Sequence, residues 1–170
     1  MHYFTEELHL SRFRTSTKLA ITAFLLFSAL GYLSNLALVY DRTGFTFKGT
    51  VAYYRGDQQE MKFPKSYPEL LENLHFHLFS IPLILFILCH LLNLTSAREG
   101  IKVTVAFIAF SAAILVIASP WLIRYVSPAF ARLAPLTGLS LTFVFGATII
   151  VPIYEMWSKG PHRQQEDNKC

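Results

Sequence analysis

Apolar positions along the chain gather into four long blocks separated by polar stretches: Leu19–Tyr40, Phe76–Leu94, Val103–Ile123 and Leu136–Tyr154. An α-helix needs about 20 predominantly apolar residues to cross the hydrocarbon core of a bilayer. Each block meets that length, and none carries Lys or Arg. The pattern predicts an all-α integral membrane protein with four transmembrane helices in an up-down bundle. The helices are expected at about 19–40, 67–95, 102–123 and 136–157, within a membrane domain spanning 19–158. The first block is too long for a signal-peptide core and is not followed by a small-x-small cleavage site, so it reads as a retained helix.

The polar stretches have their own signals. Residues 1–18 mix Tyr3, Phe4, Leu8, Leu10 and Phe13 with Glu6, Glu7, Arg12 and Arg14, the composition of a segment that can lie on a membrane surface. Ser28, Gly31, Ser34 and Asn35 are small or weakly polar residues of the kind that let membrane helices approach closely. Asp41-Arg-Thr-Gly44 closes the first helix, and 41–66 forms the one sizeable loop between helices. Within it, Phe45–Tyr54 alternates like a strand, with Lys48-Gly49 as a turn, which suggests a small β-hairpin. Arg55-Gly-Asp57 reads as a turn. Ser66-Tyr-Pro-Glu69 is a capping box, so the second helix starts near Tyr67, about two turns before its apolar part. Ser119-Pro120 and Ser127-Pro128 punctuate the third and fourth helices, and Arg124, Tyr125, Phe130 and Arg132 suggest a short interfacial helix between them. The tail 159–170 is polar, with no apolar pattern to order it.

Composition agrees with this division. Of 170 residues, 53% are hydrophobic and 15% charged, where a soluble domain carries about 25% charged. The net charge of +4 comes from basic residues flanking the apolar blocks, which favours contact with lipid headgroups over nucleic acid. Cys89 and Cys170 are too far apart in this plan to pair, and without Cys-x-x-Cys-His no c-type haem is attached. The cations divide almost evenly between the two sides. The cluster Arg12, Arg14, Lys18 before the first helix favours both termini in the cytoplasm, most simply of a bacterial inner membrane.

The chemistry concentrates on the second helix, in Glu69-Leu-Leu-Glu72-Asn-Leu-His75-Phe-His77 and in His90. Ionisable residues in a membrane helix are costly and mark function or a partner. At about 100° per residue, Glu72, His75, Phe79, Phe86, His90 and Asn93 share one face, while His77 points to nearly the opposite side. His75 and His90 are separated by about 22 Å along the axis, one near each membrane surface. The pair resembles, over this one helix, the dihaem four-helix bundles of membrane cytochromes b. That resemblance implies b-type haem bound by His75 and His90. The other three apolar blocks contain no histidine, so a second axial ligand would have to come from a homodimer or from a histidine-bearing partner subunit.

Two further readings stand beside haem. Glu72, His75 and His77 form a candidate metal set, with Glu69 able to replace His77, because Glu and His at i, i+3 share a helix face. A carboxylate beside a histidine at the interface also suits proton or quinone chemistry. The plain alternative is that the histidines are interfacial polar groups and that His90 hydrogen-bonds a neighbouring helix, through Asn35 or a serine. No nucleophile–base pair or phosphate loop points to a self-sufficient enzyme. The sequence therefore suggests a membrane subunit of a redox or respiratory-type complex. A cofactor-free structural or assembly subunit is the alternative, and a small transporter a further one.

Overall fold

The computed structural model describes residues 9–158. The first part of the 1–18 segment and all of the 159–170 tail lie outside the described residues. After a short 3₁₀ turn at Leu10–Arg12, the chain forms α1 (Thr15–Thr43), α2 (Phe47–Arg55), α3 (Tyr67–Asn93), α4 (Glu99–Trp121) and α5 (Leu133–Ser158). Among the described residues four helices are long and apolar enough to cross a membrane: Thr15–Thr43, Tyr67–Asn93, Glu99–Val126 and Pro128–Ser158. The protein is an all-helical integral membrane protein.

The bundle has two ends, distinguished by hydrogen bonds. At the terminal end, Leu10 N–H donates to Leu94 C=O (3.2 Å), Lys18 Nζ to Met156 C=O (2.8 Å) and Trp157 Nε1 to Thr22 Oγ1 (3.1 Å). At the loop end, Arg124 Nε donates to Lys65 C=O (2.9 Å). These pairings set neighbouring spans antiparallel, so the start of α1 and the end of α5 share one membrane face.

Packing is uneven. One cluster joins α3, α4 and α5 through Leu85, Cys89, Leu92, Val105, Ala109, Ala113 and Val144. The small Ala109, Ala112 and Ala113 of α4 are buried and let the helices close up. A second cluster at the terminal end gathers Leu10, Leu25, Leu88, Leu91 and Met156. Leu25 is the buried residue of α1; further along, that helix leans on α5 through Tyr32, stacked on Phe145 at 4.3 Å and hydrogen-bonded to Thr142 Oγ1 at 2.8 Å. Gly31 is not part of that contact: it is exposed, with nothing within 4 Å of a Cβ built on it. Cys89 is buried and free.

The β-hairpin expected over Phe45–Tyr54 is not formed; this stretch is helical from Phe47 to Arg55. Two local features decide it. Gly44 closes α1 in the left-handed region (φ 59°), donating to Tyr40 C=O. Thr46 then caps α2 by accepting from Gly49 N–H at 3.0 Å. With the chain turned this way, α2 covers the loop end and buries Thr50 and Ala52. A two-stranded hairpin would have had no such partner and is marginal alone. The extended pairing that does occur is a single bridge, Asp57 with Lys62, entered through Gly56 at φ 84°.

α3 begins with its capping box formed. Glu69 Oε2 accepts from both Ser66 N–H and Ser66 Oγ–H at 2.8 Å. At the far end of α4 the chain does not stop at Pro120. It runs on as a π-helical turn, Leu122–Val126, and after Ser127 as a 3₁₀ turn, Pro128–Arg132. A proline without an N–H loosens the helical ladder, and the wider turn carries Trp121 and Tyr125 to the surface beside Tyr67. Their rings lie 5.8 Å apart and Tyr67 is 5.3 Å from Trp121. This aromatic group marks the headgroup level of the loop end.

Candidate functional site

α3 buries one leucine-rich face and turns His75 and His90 outward. Leu70, Leu85, Leu88, Cys89, Leu91 and Leu92 are buried, whereas Glu72, His75, Phe79, Phe86, His90 and Asn93 are exposed. The stripe deduced from helical phase is thus one face, and that face is directed away from the protein's own core. Each of its histidines is accompanied by a phenylalanine four residues away. His75 meets Phe79 edge-on at 5.2 Å, and His90 is stacked with Phe86 at 6.2 Å and 18°. Among the described residues, no hydrogen bond or ion pair joins His75, His90 or Glu72 to another side chain.

Asn35 does not serve as the partner of His90. It is exposed in the half of α1 toward the loop end, whereas His90 sits in the last turn of α3 at the terminal end. His77 leaves the stripe, as its phase requires. It is half-buried, and its Nδ1 lies 2.7 Å from Asn73 C=O. Because a carbonyl only accepts, Nδ1 is the donor in this contact. Glu72, His75 and His77 therefore diverge, and among the described residues no three His, Cys, Asp or Glu side chains converge as a metal site. Glu69 is held by Ser66 and by Lys65 Nζ at 2.8 Å.

A carboxylate outside the α3 stripe is buried. Glu155, near the end of α5, is 5% exposed. Its carboxylate accepts from Ser96 N–H at 3.0 and 2.8 Å and from Ser96 Oγ–H at 2.9 Å, and His9 Nδ1 lies 3.9 Å away. The α3–α4 turn, the segment before α1 and α5 meet there. Ser96 is a polar residue directly after an apolar block, as Glu155 is near the end of one, but the link spans 59 positions and no spacing in the sequence announces it.

At the loop end, the close of α1, α2 and the first turns of α3 line an open cavity of about 330 Å³. Arg42 and Lys65 lie over the Tyr53 ring at 5.6 and 5.1 Å. Burial pushes the Tyr54 hydroxyl up to about 12, with the neighbouring Tyr53 adding to the shift and Arg42 opposing it. Tyr54 is therefore a neutral hydrogen-bonding group throughout the physiological range.

The site can thus present imidazole nitrogens outward, at two depths of the membrane, to something beyond this chain. A family model described as a transmembrane helical domain matches residues 44–164, which include α2 through α5. No curated protein and no solved structure matches the chain.

Proposed function

This chain belongs to the Aq_1264_TM family of transmembrane helical domains, and we propose that it is a subunit of a redox-type membrane assembly, joined to its partner through the outward face of α3. One observation carries the reading: His75 and His90 both lie on the exposed side of α3, away from the chain's own helices. An imidazole facing hydrocarbon is costly, and a membrane helix that keeps two on one stripe is relieved when a second molecule covers it. His75 and His90 would each supply one axial nitrogen to a b-type haem, and a second copy of the chain or a histidine-bearing subunit would supply the other. Phe79 and Phe86 would flank the macrocycles. Bound haem supplies one-electron chemistry; the chain itself contributes ligand position and an apolar wall.

A visible absorption spectrum of the protein purified after haem-replete expression, with and without dithionite, tests this. A Soret band that His90→Ala halves or abolishes is the expected result. A protein without a Soret band removes the haem reading. The cofactor-free assembly reading would then stand on the same face, and cysteine cross-links from Phe79→Cys to a neighbouring chain would report it.

A further inference from the structure

We infer that the loop-end cavity is a binding site for the headgroup of a zwitterionic phospholipid carrying a primary ammonium, the phosphatidylethanolamine type. The lining is unusual for a membrane surface because it is formally neutral while carrying four charges. Arg42 and Lys65 stand against Glu69 and Glu72. These charges are not equally engaged. Lys65 and Glu69 pair with each other at 2.8 Å. Arg42 and Glu72 have no ion-pair partner among the described residues, although both line the same cavity. What is left over is one guanidinium and one carboxylate. A guanidinium suits a phosphate, which it can bind through two N–H groups. A carboxylate only accepts, so it suits an ammonium that still carries N–H donors.

Depth and shape favour a lipid over a soluble zwitterion. The cavity is roomy enough for a small-molecule group, since ligand pockets begin at about 300 Å³. Along α3 it is lined from Glu69 onward, two residues after Tyr67, whose ring meets Trp121 in an aromatic group of the kind that anchors at headgroup depth. Phe76 lines it and is 72% exposed, and Leu83, seven residues on, continues the exposed apolar track along α3 toward the bilayer centre. That track gives acyl chains a surface to follow. A purely anionic lipid would bring its phosphate but meet Glu72 without an offsetting cation. A choline headgroup would bring a cation with no N–H to donate.

The test uses the full chain in detergent, with dioleoyl-phosphatidylethanolamine, -phosphatidylcholine or -phosphatidylglycerol added at equal mole fraction. Lipid retained on the intact protein is read by native mass spectrometry. The ethanolamine lipid should be retained about fivefold over the glycerol lipid, the selectivity of one charge-assisted contact. Glu72→Gln should bring that ratio near one, and Arg42→Gln should lower retention of the ethanolamine lipid itself. Both variants replace exposed side chains, and an unchanged circular dichroism spectrum verifies the fold. Equal retention of the ethanolamine and glycerol lipids by the unmodified protein would overturn the inference. So would an ethanolamine preference that survives Glu72→Gln. Free phosphoethanolamine competing as well as the lipid at the same concentration would overturn the lipid assignment in favour of a soluble zwitterion.

Discussion

Single residues carry meanings here that their local sequence does not state. Gly49 looks like the turn of a hairpin, following Lys48 between alternating aromatic and β-branched residues. It is instead the point where α2 presses on the end of α1. A Cβ at this position would lie 2.1 Å from the Thr43 carbonyl oxygen and 2.8 Å from Thr46 Oγ1, the atom that caps α2. Backbone cannot yield as a flexible side chain can. Gly49→Ala is therefore expected to destabilise the protein by roughly 2–3 kcal/mol. Thermal unfolding in detergent should show it as a midpoint lower by several degrees; an unchanged midpoint would mean that the corner has slack. His77 gives the same lesson in reverse. Three letters place it beside His75, but two residues of helical rise and 200° of rotation send it to Asn73 C=O instead.

At the scale of elements, the readings that succeeded rest on interactions within a few residues. The capping box at Ser66–Glu69 is formed with the predicted partners, because its donors and acceptors are all local. Removing the hydroxyl by Ser66→Ala should cost about 1 kcal/mol. Hydrogen exchange should locate that cost in the first turn of α3, with the amides beyond Pro82 unaffected; uniform loss of protection would contradict a local role. α2 is the case where local pattern misled. Period-two alternation over Phe45–Tyr54 is real, but a strand needs a partner strand, and none is offered by the described residues. A helix satisfies its own backbone, so the Thr46 cap and burial of Thr50 and Ala52 were enough to choose it. The π-helical turn after Pro120 likewise depends on what packs around it. Ile123 is buried there, and Arg55 Nη1 reaches its carbonyl at 3.4 Å.

For the whole molecule, the decisive contact at the terminal end is the buried carboxylate of Glu155. It joins α5 to the α3–α4 turn and stands beside the segment that precedes α1. Glu155→Ala leaves the Ser96 N–H and hydroxyl without this acceptor and should lower stability by about 1.5–3 kcal/mol, the range for hydrogen bonds to a charged group. Limited trypsin digestion should then cut faster at Arg12, Arg14 and Arg98, which flank the junction. Equal cleavage rates in the two proteins would show that the surrounding apolar cluster holds this end closed by itself.

What the sequence by itself determined is the class of the protein, its number of membrane spans, the cap of α3 and the shared face of Glu72, His75 and His90. Hydropathy, local capping and helical phase depend on neighbours within a few turns, and a bilayer leaves an apolar block no spanning choice but a helix. Only the tertiary structure decided which way that face points. Helical phase gathers the histidines on one side but carries no sign for inside or outside, because in a membrane both sides of a helix are apolar surroundings. Packing supplied the sign: Leu85, Leu88, Cys89 and Leu92 took the contact with the chain's own clusters, and the histidines were left facing out. The burial of Glu155 and the meeting of Arg42 with Glu72 around one cavity were likewise settled by long-range contact, since each joins residues that no local periodicity relates.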